Sequence, residues 1–329
     1  MNLFLALLSL AGGIAVLIKG ADVLVEGAVG IADKFGVSPL VVGLTIVAMG
    51  TSAPEVATSI AAALEGKGDA ALGNVYGSNI ANLALVGGVC SIIRPISVRL
   101  IMLRRELPVM ILVALLLWPF LGLNSYLGRI ESIALLILFA SLITLTIRAE
   151  RKAGKNRPDT VAAMASEVEE IKSHGVKSLR FYVIMVVIGL VALAVGARLS
   201  LLGAVFLGEK AGLSDFVIGC TILAIGTSLP ELITSLVAAF KGHDDLSIGN
   251  LVGSNIFNTL LVVGCAGVIS PFEVSERLAG TDYWIMIAVS IVFLLFAGVG
   301  RKISRKDGIV LASIYVGYMV YLLVFTRDV

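Results

Sequence analysis

The same hexapeptide pattern occurs twice in this chain, as GTSAPE at residues 50–55 and as GTSLPE at residues 226–231, each inside a long apolar run. A carboxylate is costly in apolar surroundings unless it has a partner. The offset of 176 residues holds without a gap from about residue 17 to residue 98, and ten of the sixteen residues at 43–58 are identical in the second copy. The sequence therefore predicts an internal duplication.

The apolar content identifies the class of protein. Of the 329 residues, 58% are hydrophobic and only 15% are charged, whereas soluble domains carry roughly 25% charged residues. We therefore predict a polytopic membrane protein. Residues 1–20 lack the basic start of a signal peptide, and their apolar run is long enough to span a bilayer, so we assign them to the first span.

Ten apolar segments have the length of a membrane-spanning helix, which predicts an all-α polytopic fold. Their predicted bounds are 3–27, 38–64, 70–93, 106–123, 129–149, 180–206, 214–240, 246–269, 282–300 and 308–326. A polar stretch separates five spans from five. We accordingly divide the chain into a first membrane repeat at 1–149, a linker at 150–179 and a second membrane repeat at 180–329.

The distribution of Lys and Arg predicts the orientation. With the N-terminus outside, the cytoplasmic loops hold 18 of these residues and the opposite loops hold 5. This excess follows the positive-inside rule and makes the central linker cytoplasmic. Five spans per repeat is an odd number, so the second repeat must be inverted relative to the first. Inverted repeats build transport sites near the midplane from broken helices, and we expect the hexapeptides in spans 2 and 7 to meet there.

Each hexapeptide also has the pattern of a helix N-terminus. Ser52 and Glu55, like Ser228 and Glu231, have the spacing of a capping box, which is the purely structural interpretation. A helix that restarts inside an apolar segment must also have ended there, and the glycine that opens each hexapeptide would permit the break. The free carbonyl groups then need partners where water is absent. Oxygen ligands that include two carboxylates favour Na⁺ or Ca²⁺. The carbonyl groups that would be free at the breaks belong to residues 48–51 and 224–227.

The next span of each repeat carries a second motif, GNVYGSNIAN at 73–82 and GNLVGSNIFN at 249–258. Its glycines are typical of close helix packing. Its polar residues at every fourth position share one helical face, namely Asn74, Ser78, Asn82, Asn250, Ser254 and Asn258. Such a stripe is either interhelical hydrogen bonding or an ion path, and its place beside each glutamate favours the path. Asn79 and Asn255 lie off this face and are predicted to form packing hydrogen bonds.

These paired motifs closely resemble the signatures of the sodium/calcium exchanger family, in particular its short bacterial members, over both repeats. The resemblance implies the plasma (inner) membrane of a prokaryote and a sliding of spans 1 and 6 against the other eight. It also implies Glu55 and Glu231 as central ligands shared by Ca²⁺ and Na⁺. Carbonyl ligands would come from Ala48, Thr51, Ala224 and Thr227, and side-chain ligands from Thr51, Ser52, Ser78, Thr227, Ser228 and Ser254.

One position departs from the family pattern. Several members carry Asp where this chain has Asn258, so that both stripes end in asparagine, at Asn82 and Asn258. The metal site then has two ionisable ligands rather than three. This places potassium dependence and proton coupling at that position in doubt.

The expected function is secondary active antiport of Na⁺ against Ca²⁺ by alternating access, electrogenic with about three Na⁺ per Ca²⁺. A Ca²⁺/H⁺ exchanger that uses the same glutamates is the alternative, and a channel is also left open. A hydrolase based on Ser52 or Ser228 lacks an activating His or Lys at a matching depth. We expect no enzyme activity, no cofactor and no nucleic-acid partner. The expected partners are the two ions and the lipid bilayer, with a monomer as the working expectation.

Overall fold

The computed structural model describes residues 2–155, 178–212, 222 and 224–325 as a helical bundle with four two-residue strands. The helices are α1 (Leu3–Phe35), α2 (Pro39–Thr51), α3 (Ala53–Leu64), α4 (Gly68–Ile93), α5 (Leu107–Leu115), α6 (Trp118–Asn124), α7 (Arg129–Lys155), α8 (Leu179–Lys210), α9 (Ala224–Thr227), α10 (Leu229–Phe240), α11 (Asp244–Ile269), α12 (Leu278–Arg301) and α13 (Arg305–Phe325). The strands are β1 (Ile96–Ser97), β2 (Tyr126–Leu127), β3 (Phe272–Glu273) and β4 (Lys302–Ile303).

Seven helices in the described ranges are long and apolar enough to cross a membrane, namely α1, α4, α7, α8, α11, α12 and α13. The bent pair α2 and α3 makes an eighth. The predicted fourth span is divided, because Pro119 has no N–H to bond the carbonyl of Leu115, where α5 ends. In the predicted seventh span α10 is short, and most of 214–223 lies outside the described residues. The helical membrane architecture is confirmed, and the count of ten stays a prediction.

The helices α4 and α11 form the centre of the bundle. In their apolar windows 72% and 78% of the residues are buried, against 22% in α1 and in α8. The outer helices expose large apolar side chains, among them Phe4 on α1, Ile137 on α7 and Val191 on α8. Such an exterior is typical of a lipid-facing surface. The polar motif on α4 and α11 therefore lies where water is excluded.

The helices α1 and α8 pack antiparallel through glycines that recur every seven residues. A Cβ atom on Gly13 would lie 2.4 Å from the backbone nitrogen of Ser200. A Cβ atom on Gly196 would lie 2.8 Å from the backbone nitrogen of Leu17. Because only residues without a side chain permit this separation, the two helices form one closely packed unit. The glycines involved are Gly13, Gly20, Gly27, Gly189, Gly196 and Gly203.

Contacts between loops distinguish the two ends of the bundle. At one end β1 pairs antiparallel with β4, and the N–H of Ser97 donates to Asp244 Oδ2 at 3.2 Å. At the other end β2 pairs antiparallel with β3, and the N–H of Ser275 donates to Asp69 Oδ1 at 2.7 Å. Each contact joins loops that the sequence predicts to lie on the same side of the membrane. The contacts are therefore consistent with the predicted alternation of the spans.

Wide helical turns of the π type recur in both halves of the chain. Ala81–Val86 in α4 corresponds to Asn258–Val262 in α11. Met102–Glu106, just before α5, corresponds to Leu278–Asp282 at the start of α12. Insertions of this kind are frequent at functional sites. The backbone irregularity thus repeats with the offset of the sequence motifs, and the first pair of turns includes Asn82 and Asn258.

Candidate cation site

The first hexapeptide lies where α2 ends and α3 begins. Ser52 separates these helices, with φ −82° and ψ 7°, and their axes differ by 45°. Pro54 stands in the first turn of α3, where a missing N–H costs little. Ser228 takes the same place between α9 and α10, with φ −87° and ψ 6°. The helix is therefore interrupted at the serine of each hexapeptide.

The glycine of each hexapeptide has a different role from the predicted one. Gly50 and Gly226 lie inside α2 and α9, two residues before the interruption. A Cβ atom on Gly50 would lie 2.3 Å from Cδ2 of Leu190, and one on Gly226 would lie 2.4 Å from Cδ1 of Leu201. Both leucines belong to α8. The break therefore lies at the serine rather than at the glycine, and each glycine lies against a leucine side chain of α8.

The capping box that the spacing also predicts is not formed. Neither Ser52 nor Ser228 caps its helix with its side chain. Instead Ser52 Oγ donates to Glu231 Oε1 at 3.1 Å, across 179 residues of sequence. Ser78 Oγ on α4 donates to Glu55 Oε1, also at 3.1 Å. The hexapeptides of the two halves therefore meet in one place.

Glu55 and Glu231 are both completely buried, at 0% exposure. The Oε2 atom of each has no hydrogen-bond partner among the described residues. Two ionised carboxylates buried in one place would also repel each other. Within the described ranges neither is paired with a Lys, Arg or His side chain. Because buried charges without partners are unfavourable, a cation bound between the two carboxylates would offset both the desolvation and the repulsion.

Two other buried acids show the alternative arrangement. Glu106, which is 4% exposed, accepts a hydrogen bond from Nε of Arg105 at 2.6 Å. Asp282, which is 1% exposed, lies 3.2 Å from Nε of Arg277. These acids also correspond under the 176-residue offset. Each has a positively charged neighbour, which Glu55 and Glu231 lack among the described residues, so we assign Glu106 and Asp282 no part in the cation site.

The second motif places neutral polar side chains beside Glu55. Ser78 Oγ lies 3.5 Å from Ser228 Oγ and accepts a hydrogen bond from Asn258 Nδ2 at 3.2 Å. The side chains of Asn82 and Ser254 are buried and, within the described ranges, make no hydrogen bond, and Asn258 Oδ1 is likewise unpartnered. Buried polar atoms without partners are rare in native proteins. This cluster is therefore suited to hold a cation.

The remaining predicted ligands lie at the ends of the short helices. Thr51 is buried, and its hydroxyl lies 3.4 Å from the carbonyl of Ala48. That carbonyl, which the sequence predicts to be free, also accepts the N–H of Ser52 at 3.0 Å. The Ala48 carbonyl is therefore already bonded in this conformation. The other two predicted carbonyl ligands lie at the ends of α9. This helix begins at Ala224 and ends at the half-buried Thr227.

Two serines that the sequence analysis missed complete the arrangement. Asn74 Nδ2 donates to Ser59 Oγ, and Asn250 Nδ2 donates to Ser235 Oγ, both at 2.9 Å. The two asparagines, predicted to line the ion path, therefore use their amide groups to join neighbouring helices. A signal was present, because each serine follows its glutamate by four residues and so lies on the same helical face.

A model of the sodium/calcium exchanger protein family matches this chain twice, over residues 5–148 and over residues 181–324. The chain belongs to the sodium/calcium exchanger family. Both matched stretches begin and end 176 residues apart, which is the offset of the two hexapeptides. The family assignment thus rests on both halves of the chain.

Relatives match almost the whole length of the chain. The putative antiporter CaxA of Alkalimonas amylolytica is 40% identical over 314 residues, covering 94% of this chain and 96% of that protein. The sodium/calcium exchanger MaX1 of Methanosarcina acetivorans is 34% identical over 336 residues, with coverage of 94% and 96%. A structure of the sodium-calcium exchanger NCX_Mj matches with a TM-score of 0.81 and 30% identity, covering 98% of this chain and 100% of that one. This family member is therefore an integral membrane cation antiporter and not an enzyme.

Proposed function

We propose that this protein is a secondary active antiporter that exchanges Na⁺ for Ca²⁺ at one buried site by alternating access. The observation that carries the proposal is the pair Glu55 and Glu231. One comes from each half of the chain, both are completely buried, and each has one oxygen without a partner among the described residues. Hard cations favour such oxygen ligands.

The proposed site combines these carboxylates with neutral oxygens. Hydroxyl and amide groups would bind the ions from Thr51, Ser52, Ser78, Asn82, Thr227, Ser228, Ser254 and Asn258. Backbone carbonyls would complete the site at Ala48, Thr51, Ala224 and Thr227. The Ala48 carbonyl, which accepts the N–H of Ser52, would bind the ion through its second lone pair. The neutral oxygens support Na⁺ rather than H⁺ as the counter-ion, because a proton needs only the carboxylates.

The charge of the site sets the proposed coupling. Two carboxylates carry a charge of −2, which one Ca²⁺ neutralises. Three Na⁺ would leave a charge of +1, so an exchange of about three Na⁺ for one Ca²⁺ would move net charge, worth about 2.3 kcal/mol per 100 mV. Inward movement of Na⁺ would then drive Ca²⁺ out of the cell. The two ions would compete, because both need the same glutamates.

We further propose ten spans in two inverted repeats, at 1–149 and 180–329, around a cytoplasmic linker at 150–179. The loop contacts and the repetition of the π turns support this arrangement. The closely packed pair α1 and α8 would move as one unit against the other helices. Prokaryotic relatives support a location in the plasma (inner) membrane. The excess of Lys and Arg in alternate loops supports an N-terminus outside.

Vesicle transport tests the proposal. The purified protein is reconstituted into vesicles loaded with Na⁺, which are diluted into Na⁺-free medium that contains radioactive Ca²⁺. We expect uptake that requires internal Na⁺ and is lost in Glu55→Gln. Uptake driven only by a pH gradient would establish Ca²⁺/H⁺ exchange instead, and uptake without any counter-ion would establish a channel. The exposed Glu65, paired with Lys67 at 2.7 Å, supplies the control variant Glu65→Gln.

A further inference from the structure

A second hydrogen bond joins α4 and α11 directly behind the candidate site. Asn79 Nδ2 donates to Thr259 Oγ1 at 3.1 Å. Both residues are buried, with exposures of 2% and 1%. The Thr259 hydroxyl donates its own hydrogen to the carbonyl of Asn255 at 2.8 Å, so toward Asn79 it can only accept. The asparagine amide is therefore held in one orientation, and Met286 Sδ on α12 lies 3.5 Å from the same nitrogen.

This bond is next in sequence to a contact inside the site. Ser78 and Asn258, the preceding residues on the same two helices, are joined at 3.2 Å. Successive residues of a helix point about 100° apart, so the bond beside Glu55 and the bond between Asn79 and Thr259 lie on different faces of the two helices. Two bonds on different faces fix the rotation of the helices as well as their separation. Together they set the position of Ser78 Oγ, which donates to Glu55.

The duplication supplies an internal comparison. Under the 176-residue offset Asn79 corresponds to Asn255, and Thr259 corresponds to Leu83, which has no hydroxyl. Asn255 Nδ2 accordingly bonds the carbonyl of Leu251 in its own helix, at 2.8 Å.

The contact between Ser78 and Asn258 differs between the two halves in the same way. In the half where Asn79 bonds Thr259, Ser78 and Asn258 are also joined. Where the Asn79–Thr259 bond is replaced by a bond within one helix, the corresponding side chains, Ser254 and Asn82, make no hydrogen bond among the described residues. In one half of the site the Asn79–Thr259 bond and the Ser78–Asn258 contact therefore occur together, and among the described residues the other half has neither.

We propose that Asn79 and Thr259 are a positioning pair, which holds Ser78 and Asn258 in place against Glu55 and so sets the Ca²⁺ affinity of one half of the site. The inference rests on the proposed function, because it concerns the same site. Neither residue is among the proposed ligands of the ion. Their effect is transmitted through the adjacent Ser78 and Asn258.

Thr259→Val removes the acceptor while preserving the shape of the side chain. Asn255→Leu removes a buried asparagine whose amide nitrogen, among the described residues, bonds only within its own helix. We expect Thr259→Val to raise the apparent KM for Ca²⁺ by about three- to tenfold, the range of one such interhelical bond, with the maximal rate within about twofold of the original protein. Thr259→Ser should restore the KM, and Asn255→Leu should leave it within about twofold. In the Thr259→Val background, Asn258→Ala should have a smaller effect than it has alone.

The positioning role is overturned if Thr259→Val and Asn255→Leu have the same apparent KM for Ca²⁺, or if Thr259→Ser raises that KM as much as Thr259→Val does. It is also overturned if the double variant of Thr259→Val and Asn258→Ala raises the KM by the product of the two single effects. Binding is measured separately, as the rise in melting temperature that Ca²⁺ produces in each purified variant. The original protein could fail to take up Ca²⁺ in response to Na⁺, while Ca²⁺ raises the melting temperature less in Thr259→Val than in Asn255→Leu. That result would reject the proposed exchange and keep the positioning pair. Normal Na⁺-driven exchange, with Ca²⁺ raising the melting temperature equally in Thr259→Val and Asn255→Leu, would keep the proposed exchange and reject the positioning pair.

Discussion

The hydroxyl of Ser52 donates a hydrogen bond to Oε1 of Glu231 at 3.1 Å, although the two residues are 179 positions apart. The corresponding serine, Ser228, lies 3.5 Å from Ser78, and it is Ser78 that bonds Glu55. The two halves of the site are therefore related by sequence but not identical in their hydrogen bonds. This difference makes the contributions of equivalent residues separable by mutation.

Ser52→Ala is expected to weaken Ca²⁺ exchange more than Ser228→Ala does. Ser52 bonds a buried carboxylate directly, and hydrogen bonds to charged groups contribute about 1.5–3 kcal/mol. The apparent KM for Ca²⁺ should rise at least about tenfold, because about 1.4 kcal/mol corresponds to a factor of ten. Ser52→Thr, which keeps the hydroxyl, serves as the control. Equal effects of the two alanine variants would contradict the asymmetry.

Glu55→Gln and Glu231→Gln should each abolish Ca²⁺ exchange while leaving a folded protein. Removing one of two buried charges relieves their repulsion, so the ion-free variants should melt at a higher temperature, by about 2–4 °C for each kcal/mol relieved. Calcium should no longer raise the melting temperature. Both quantities can be followed in a thermal unfolding assay with and without Ca²⁺. The exposed variant Glu65→Gln should match the original protein, and a glutamine variant that keeps its Ca²⁺ response would refute the assignment.

Gly13→Ala should destabilise the pair α1 and α8, whereas Gly12→Ala should not. A Cβ atom on Gly13 would collide with the backbone of Ser200, while one on Gly12 would meet no atom within 4 Å. Overpacking costs about 1–3 kcal/mol. Alanine at a free helical position instead favours the helix by up to about 1 kcal/mol. Thermal unfolding of the two variants in detergent compares these effects, and equal melting temperatures would contradict the close approach of the helices.

The ion pair between Lys241 and Asp22 should affect the rate of exchange only modestly. Lys241 Nζ lies 2.5 Å from Asp22 Oδ1 and joins the end of α10 to α1, but the side chains are 35% and 40% exposed. Such pairs contribute about 0–1 kcal/mol and are screened by salt. Lys241→Met should change the rate less than about fivefold, and the change should shrink at high ionic strength. Lys34→Met, at the exposed end of α1, is the control; a salt-independent effect would show that the charge is not responsible.

Much of the site was predictable because its chemistry is encoded locally and then repeated. Two carboxylates in apolar runs, the pattern of a helix start at each Ser-x-Pro-Glu, and a shared offset are properties of the sequence itself. The convergence of Glu55 and Glu231 follows from the duplication. The family match at residues 5–148 and 181–324 has the same basis.

Other features depended on which helices meet. The capping-box spacing of Ser52 and Glu55 permits a bond within one helix, and only the approach of the second half gives Ser52 a buried carboxylate to bond instead. Gly50 has the residue type expected at a break in the chain, but the break lies at Ser52, and Gly50 lies against Leu190 of α8.

The sequence by itself determined the membrane class, the two repeats and the identity of the paired glutamates, because hydropathy and motif spacing are read along the chain. The tertiary structure alone decided which polar side chains join helices and which remain without partners. Asn74 and Asn82 share one helical face, yet the first bonds Ser59 and the second makes no hydrogen bond among the described residues. The physical reason is that a hydrogen bond needs its partner within about 3 Å, and such distances between helices are set by packing rather than by sequence spacing.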